Sequence, residues 1–177
     1  MSTIKKIALI VGHGNGDSGA MGWNGMSEFN FNQFVADEIE NRDLGKEIRV
    51  FYRGPSGITG VSAKAVMWRP DLTIELHLNA FNGKAKGCEV LCLKGDLDSE
   101  TIAKDFSHKF TTHFKRVLRG KDGIKWISKN DRGGLNLRSL ATIKQRILIE
   151  PFFIDNPEEW ISPMIYADFL SDWIKEL

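Results

Sequence analysis

Segments with a two-residue apolar rhythm alternate with segments of helical spacing along the chain, and a chain patterned in this way buries its strands as the middle layer of an α/β sandwich. The clearest strand signature is Leu72-Thr73-Ile74-Glu75-Leu76-His77-Leu78. Leu72, Ile74, Leu76 and Leu78 share one face, and Thr73, Glu75 and His77 share the other. Further strands are expected at Lys5–Val11, Ile48–Tyr52 and Cys88–Leu93, and in the short apolar segments Leu135–Leu140 and Ile147–Glu150. A helix is expected after Ser27 as N-cap, with Phe31, Phe34, Val35 and Ile39 on its apolar face. Others are expected at Val61–Trp68, ahead of Pro70, and at Ser99–Leu118, where Ile102, Phe106, Phe110, Phe114 and Val117 recur at helical spacing. A last helix is read from Asn156 as cap, Pro157 in the first turn and Glu159 in the capping-box position. Arg119–Gly134 reads as a basic loop around Trp126. The expected fold is α/β with a mostly parallel sheet, in one domain spanning residues 1–177.

A chain of 177 residues can bury roughly 70% of its unfolded surface without crosslinks. Apolar residues at 42% and charged residues at 27% are ordinary for a globular domain, and a formal charge of +1 predicts no special partner. Cys88 and Cys92 fall in one apolar run, on the same face of one strand, and are read as buried thiols; no second pair or histidine follows at metal-ligand spacing. Lys5-Lys6 followed by Ile7–Val11 imitates a signal peptide, but the apolar run is too short and ends in Gly12-His13-Gly14. No stretch is long enough to span a bilayer. The chain is thus expected to be made in the cytoplasm, as a monomer.

In an open parallel sheet, ligands gather at the carboxyl ends of the strands. His13 lies just past the first strand, His77 near the end of a central one and Glu150 at the end of the last apolar strand, so three ionisable residues distant in sequence are expected on one rim. Each has a bland alternative. A histidine between glycines can be a solvated turn residue, and His77 can be a core histidine satisfied by a hydrogen bond. Glu28 can be an acid that simply gains from a helix N-terminus. Glu150 stands inside Ile147-Leu148-Ile149-Glu150-Pro151-Phe152-Phe153, where an unpaired carboxylate is expensive, so a metal, a metal-bound water or an arginine must compensate it. Together, two imidazoles and one carboxylate suit a catalytic zinc ion, and a further carboxylate suits its general base.

The ordered set Gly12-His13-Gly14, Gly16-Asp17-Ser18-Gly19-Ala20, Glu28, Arg53, His77-Leu78-Asn79-Ala80, Gly87-Cys88-Glu89-Val90-Leu91 and Ile149-Glu150-Pro151-Phe152-Phe153 resembles the zinc-dependent N-acetylmuramoyl-L-alanine amidases of phage endolysins and bacterial wall hydrolases. The stretch Ile74–Leu91 is especially similar to clostridial phage endolysin amidases. The resemblance implies a twisted sheet of about six strands with helices on both faces. It implies one zinc ion held by His13, Glu28 and His77, Glu150 as the catalytic glutamate, and Asn79 and Arg53 in the substrate cleft. The partner it implies is peptidoglycan, cut between muramic acid and L-alanine, with release to the wall in host lysis. No separate wall-binding domain and no nucleic acid are expected. The chain departs from the family pattern where Ile10-Val11 replaces a frequent aspartate and proline, and where Glu75 replaces a frequent serine.

Two rivals come from other classes. Gly14-Asn15-Gly16-Asp17-Ser18-Gly19 matches the dinucleotide pattern G-x-G-x-x-G, with Arg53 placed for a 2′-phosphate, but Gly22-Trp23-Asn24-Gly25 delays the helix that the pattern requires. Residues 101–150 carry twelve lysines and arginines against four acids, and 151–177 one lysine against six acids. Such asymmetry suits a binder of nucleic acid or anionic wall polymer, with Trp126 as a stacking platform.

Overall fold

In strand β1 (Lys6–Gly14), Ile7, Ala8, Leu9, Ile10 and Val11 are all buried, odd and even positions alike. Such a run is a strand covered on both faces, which is what a parallel sheet between two helix layers produces. The computed structural model describes residues 4–14 and 16–177. After β1 come α1 (Glu28–Glu40), β2 (Glu47–Arg53), α2 (Gly57–Trp68), β3 (Leu72–Leu76), β4 (Glu89–Leu93), α3 (Leu97–Phe114), β5 (Ile124–Ile127), α4 (Gly134–Ser139), β6 (Gln145–Glu150) and α5 (Pro163–Glu176).

The six strands form one sheet in the order β2-β1-β3-β6-β4-β5. β2, β1, β3 and β6 run parallel, β4 runs against β6, and β5 follows β4. Helices α1, α3 and α5 cover the face that carries Ile7, Leu9, Ile74, Leu76, Ile147 and Ile149, and an aromatic cluster of Phe31, Phe106, Phe110, Phe152, Tyr166 and Trp173 fills the space between. Burying each of these large side chains contributes about 1.5–3 kcal/mol. α2 and α4 cover the other face over Ala8, Ile10 and Phe51, and over Leu91 and Leu148. Alternation then places Glu75, His77 and Glu150 toward this thinner α2/α4 layer, because their neighbours Ile74, Leu76 and Ile149 face the larger core.

The layer reading and the parallel core agree with the sequence expectation, and several boundaries differ. Leu135–Leu140, expected as a strand, forms helix α4 up to Ser139 with Leu140 as its C-cap; a short apolar run does not distinguish the two, and Gly133 with φ 82° supplies the left-handed turn that starts the helix. The loop expected over Arg119–Gly134 contains β5, where Trp126 pairs with Cys92 and packs half-buried against the core. The last helix starts at Pro163 with Ser162 as its cap, not at Asn156. Asn156 instead donates its side-chain amide to Ala85 O at 3.0 Å, and Glu159 accepts from Gly87 N at 2.9 Å. These capping-type side chains tie two loops together. Helix α3 ends at Phe114, where Lys115 turns left-handed with φ 52°, so Val117 and Leu118 lie outside it. Cys88 and Cys92 are free, buried and in one core cluster.

Candidate active site

Val11 ends the regular pairing of β1 with β2, and the register slips before Gly14 pairs with Arg53. Within that irregularity His13 takes φ 67°, a left-handed conformation costly for a side chain with a Cβ. Strain of this kind persists where surrounding contacts hold it, and His13 is held at both ring nitrogens: Nδ1 lies 3.0 Å from Asp17 Oδ2 and Nε2 3.2 Å from Glu28 Oε2. Gly19, at φ 67°, leaves the room, since a Cβ there would lie 2.6 Å from His13 Cδ2 and 2.7 Å from Glu28 Oε2.

Glu28 is the first residue of α1 but is only 1% exposed, which rules out a solvated acid placed there for the helix dipole alone. It accepts from Ala20 N at 3.0 Å and Leu78 N at 2.9 Å. His77 follows β3 directly, with Nδ1 3.0 Å from Glu28 Oε1 and Nε2 3.1 Å from Glu75 Oε1. A Cβ on Gly12 would lie 2.5 Å from the His77 ring, so glycine is required there too. Ligand atoms of His13, Glu28 and His77 all lie within 4.8 Å of one another. These three residues, expected from sequence as one set, do converge.

The set fits a zinc ion by its donor chemistry, two imidazoles and a carboxylate. His13 Nε2 is moreover buried and, although 3.2 Å from Glu28 Oε2, makes no well-directed hydrogen bond, which is expensive unless something else engages it. Glu28 meets opposing influences: burial disfavours its charge, but the imidazoles of His13 and His77 beside it outweigh that and hold its carboxyl well below the usual range. For His77, burial likewise works against the charge, and bonding to Glu28 and Glu75 overcomes it, raising the imidazole to about 10. The Glu28 carboxylate 3.2 Å away raises His13.

Glu150 ends β6 opposite Glu89 in the antiparallel ladder with β4. Asn79 donates its amide to both, at 2.8 Å to Glu89 Oε1 and 3.0 Å to Glu150 Oε2. Burial, reinforced by the charge of Glu89 and opposed by that of His77, pushes Glu150 up to about 7. Glu89 goes the other way: burial opposes its ionisation, but Lys125, hydrogen bonds from Glu150 and Asn79, and Arg119 hold it low. Arg119 and Lys125 both lie 3.4 Å from Glu89. The arginine expected as one way to compensate Glu150 therefore serves its neighbour, and Glu150 is held by the Asn79 amide.

His13, Arg53, His77, Asn136 and Glu150 line one cavity of about 310 Å³ between the sheet and the α2/α4 layer, with Ile58 and Arg132 at its walls. Arg53 reaches toward Asp17 and Glu75, at 3.6 and 3.5 Å. The residues missed in the sequence are Glu75, Glu89 and Asn136. Glu75 shares a strand face with His77 at a separation of two, and Glu89 is an acid between apolar neighbours, as Glu150 is. Asn136 carried no signal, because its helix was read as a strand.

The described residues of the glycine-rich loop form no phosphate cradle: Asp17 N and O bond to Gly14, Asp17 engages His13, and the helix starts only at Glu28. Asn15 of that motif lies outside the described residues. Part of the basic segment is ion-paired, with Lys104 on Glu100, Lys109 on Asp105 and Glu176, Arg116 on Glu159, and Arg146 on Asp96.

A family model described as N-acetylmuramoyl-L-alanine amidase matches residues 7–161. The chain belongs to that amidase family. Its fold is shared with Ami1 from Mycobacterium smegmatis, at 16% identity over 99% of this chain and 100% of that one, with a TM-score of 0.74. It is also shared with the CwlV catalytic domain from Bacillus (Paenibacillus) polymyxa var. colistinus, at 18% identity over 98% and 95%, with a TM-score of 0.75. The catalytic domain of the CD27L endolysin targeting Clostridia difficile is 27% identical over 97% of this chain and 95% of that one, with a TM-score of 0.71. No curated protein sequence matches. As a member of the amidase family, the chain is an enzyme that hydrolyses an amide of peptidoglycan. No helix among the described residues is long and apolar enough to cross a membrane.

Proposed function

We propose that this amidase cuts the bond between N-acetylmuramic acid and L-alanine with one zinc ion held by His13, Glu28 and His77, and with Glu150 as the proton-transfer group. The observation that carries the reading is the convergence of those three ligand atoms within 4.8 Å beside an acid whose proton affinity lies near neutrality. When bound, zinc lowers the pKa of water and polarises a carbonyl. Glu150 takes the proton from the attacking water as a C–O bond forms at the lactyl carbonyl. It then delivers that proton to the departing L-alanine nitrogen as the C–N bond breaks, leaving a carboxylate on the sugar and a free amine on the peptide. A group that must act as base and then as acid works best with a pKa near the operating pH. Asn79 holds Glu150 Oε2 during both transfers, and with Arg53 it is assigned to substrate contact at the cleft.

Digestion of purified peptidoglycan tests the chemistry. New L-alanine amines that vanish with a chelator and return with zinc support the proposal; reducing sugar ends, or amines indifferent to chelation, overturn it.

The biological setting proposed is a phage endolysin, supported by the 27% identity to an endolysin catalytic domain. Expression inside a susceptible host should leave cells intact until a pore-forming holin is supplied. Lysis without one would speak against that role.

A further inference from the structure

Each imidazole of the metal set presents one nitrogen to Glu28, and each has its other nitrogen against a carboxylate. For His13 that carboxylate is Asp17, at 3.0 Å, and for His77 it is Glu75, at 3.1 Å. The two carboxylates belong to different segments, a loop and the middle of β3, yet one side chain touches both: Arg53 NH1 lies 3.6 Å from Asp17 Oδ2 and Arg53 NH2 3.5 Å from Glu75 Oε1. Asn136 adds an amide donor to Glu75 from α4. The Arg53 side chain is 14% exposed and Glu75 3%, so this arm of the bridge is desolvated, whereas Asp17 at 58% is open to water.

We infer that Arg53 is a positioning residue: through Asp17 and Glu75 it locks both imidazoles in the orientation that turns His13 Nε2 and His77 Nδ1 toward Glu28 and a shared metal ion. The inference rests on the zinc reading above and extends it from the ligands to what aims them. A carboxylate behind a ligating histidine fixes its tautomer and ring angle. A planar guanidinium presents two N–H edges at a fixed spacing, so it can couple two such carboxylates, which a lysine ammonium cannot do in the same geometry. Glu75 also acquires a reason to be there. Buried between His77, Arg53 and Asn136, it would be a costly isolated charge if any of them were absent.

The test is zinc affinity, measured by competition with a chromophoric chelator on folded protein, with the thermal midpoint of the metal-free form recorded beside it. Arg53→Met, Glu75→Gln and the exposed Asp17→Asn are compared with wild type and with His13→Ala. The clamp predicts about 10–100-fold weaker zinc binding for Arg53→Met and Glu75→Gln, a smaller loss for Asp17→Asn, and a double variant Arg53→Met/Glu75→Gln no worse than its weaker parent, because both remove one linkage. Lowered thermal midpoints with unchanged zinc affinity would overturn it and leave Arg53 a structural ion pair; losses that multiply in the double variant would also overturn it. Should Arg53→Met fail to fold, Glu75→Gln and Asp17→Asn decide alone. A wild-type protein that binds no zinc, or a His13→Ala variant that binds it as well as wild type, would instead defeat the zinc reading and the clamp with it.

Discussion

Glu89 and Glu150 face each other across the β4–β6 ladder and share the amide of Asn79, one kept ionised by Lys125 and Arg119 and the other pushed toward its protonated form. Pairs of acids whose surroundings drive their proton affinities apart are a recurring way to obtain an acid that works near neutral pH. Removing the charge of Glu89 should therefore let Glu150 ionise more easily. In Glu89→Gln the acidic limb of kcat/KM is expected to move down by about one pH unit. A pH–rate profile superimposable on wild type would break the link between the two residues.

Glu150→Gln should lose at least about 10²-fold in turnover while retaining zinc, and should be the more stable protein at alkaline pH. The sign follows from linkage: in the fold Glu150 ionises near 7 rather than 4.5, so the folded state binds its proton more tightly and ionisation opposes folding. The penalty is absent below about pH 4.5, grows through 7 and is full above it. For the chelated proteins, the variant should match wild type at pH 4 and exceed it at pH 8 by on the order of 3 kcal/mol, or about 6–12 °C. Equal midpoints at both pH values would contradict the buried, costly carboxylate described here.

Gly19→Ala places a methyl group against His13 and Glu28, and it does so at a backbone angle that alanine resists. A loss of about 1–3 kcal/mol in stability and a fall in zinc affinity of at least about tenfold are expected, read by thermal melting and metal titration. Gly25→Ala is the matched control, with φ 84° but nothing within 4 Å of the added methyl; its melting should fall while its zinc affinity holds.

Zinc itself should stabilise the fold. At a free concentration 100 times Kd, binding contributes about 2.7 kcal/mol, which for a chain of this size raises the melting midpoint by about 5–10 °C. A chelator should reverse the rise, and His13→Ala should abolish it. A midpoint indifferent to zinc in wild type would remove the metal from the account.

The parallel core was legible because β1 and β3 carry unambiguous patterns, and β1 is apolar on both faces while β3 alternates. The rim was legible for a related reason, since His13, His77 and Glu150 stand at or just past the carboxyl ends of β1, β3 and β6. The direction of β4 was not, because an apolar run such as Glu89–Leu93 reads alike in either sense. Asn156 and Glu159 misled because the side chains that start helices also anchor loops, and only tertiary contact decides which they do. The linkage through Arg53 needed coordinates, for it joins residues from three separate segments.

Because β4 runs against its neighbour, the connection from β3 to β4 begins and finishes at one edge of the sheet and never crosses a helix layer. It passes over the end of β6, bridged there through Asn79 and Phe153 and fastened by Asp155 to the backbone of Phe81 and Gly83. The same span opens with His77 and Asn79, so whatever anchors it over β6 also sets where a nitrogen of the triad and the amide beside Glu150 come to rest.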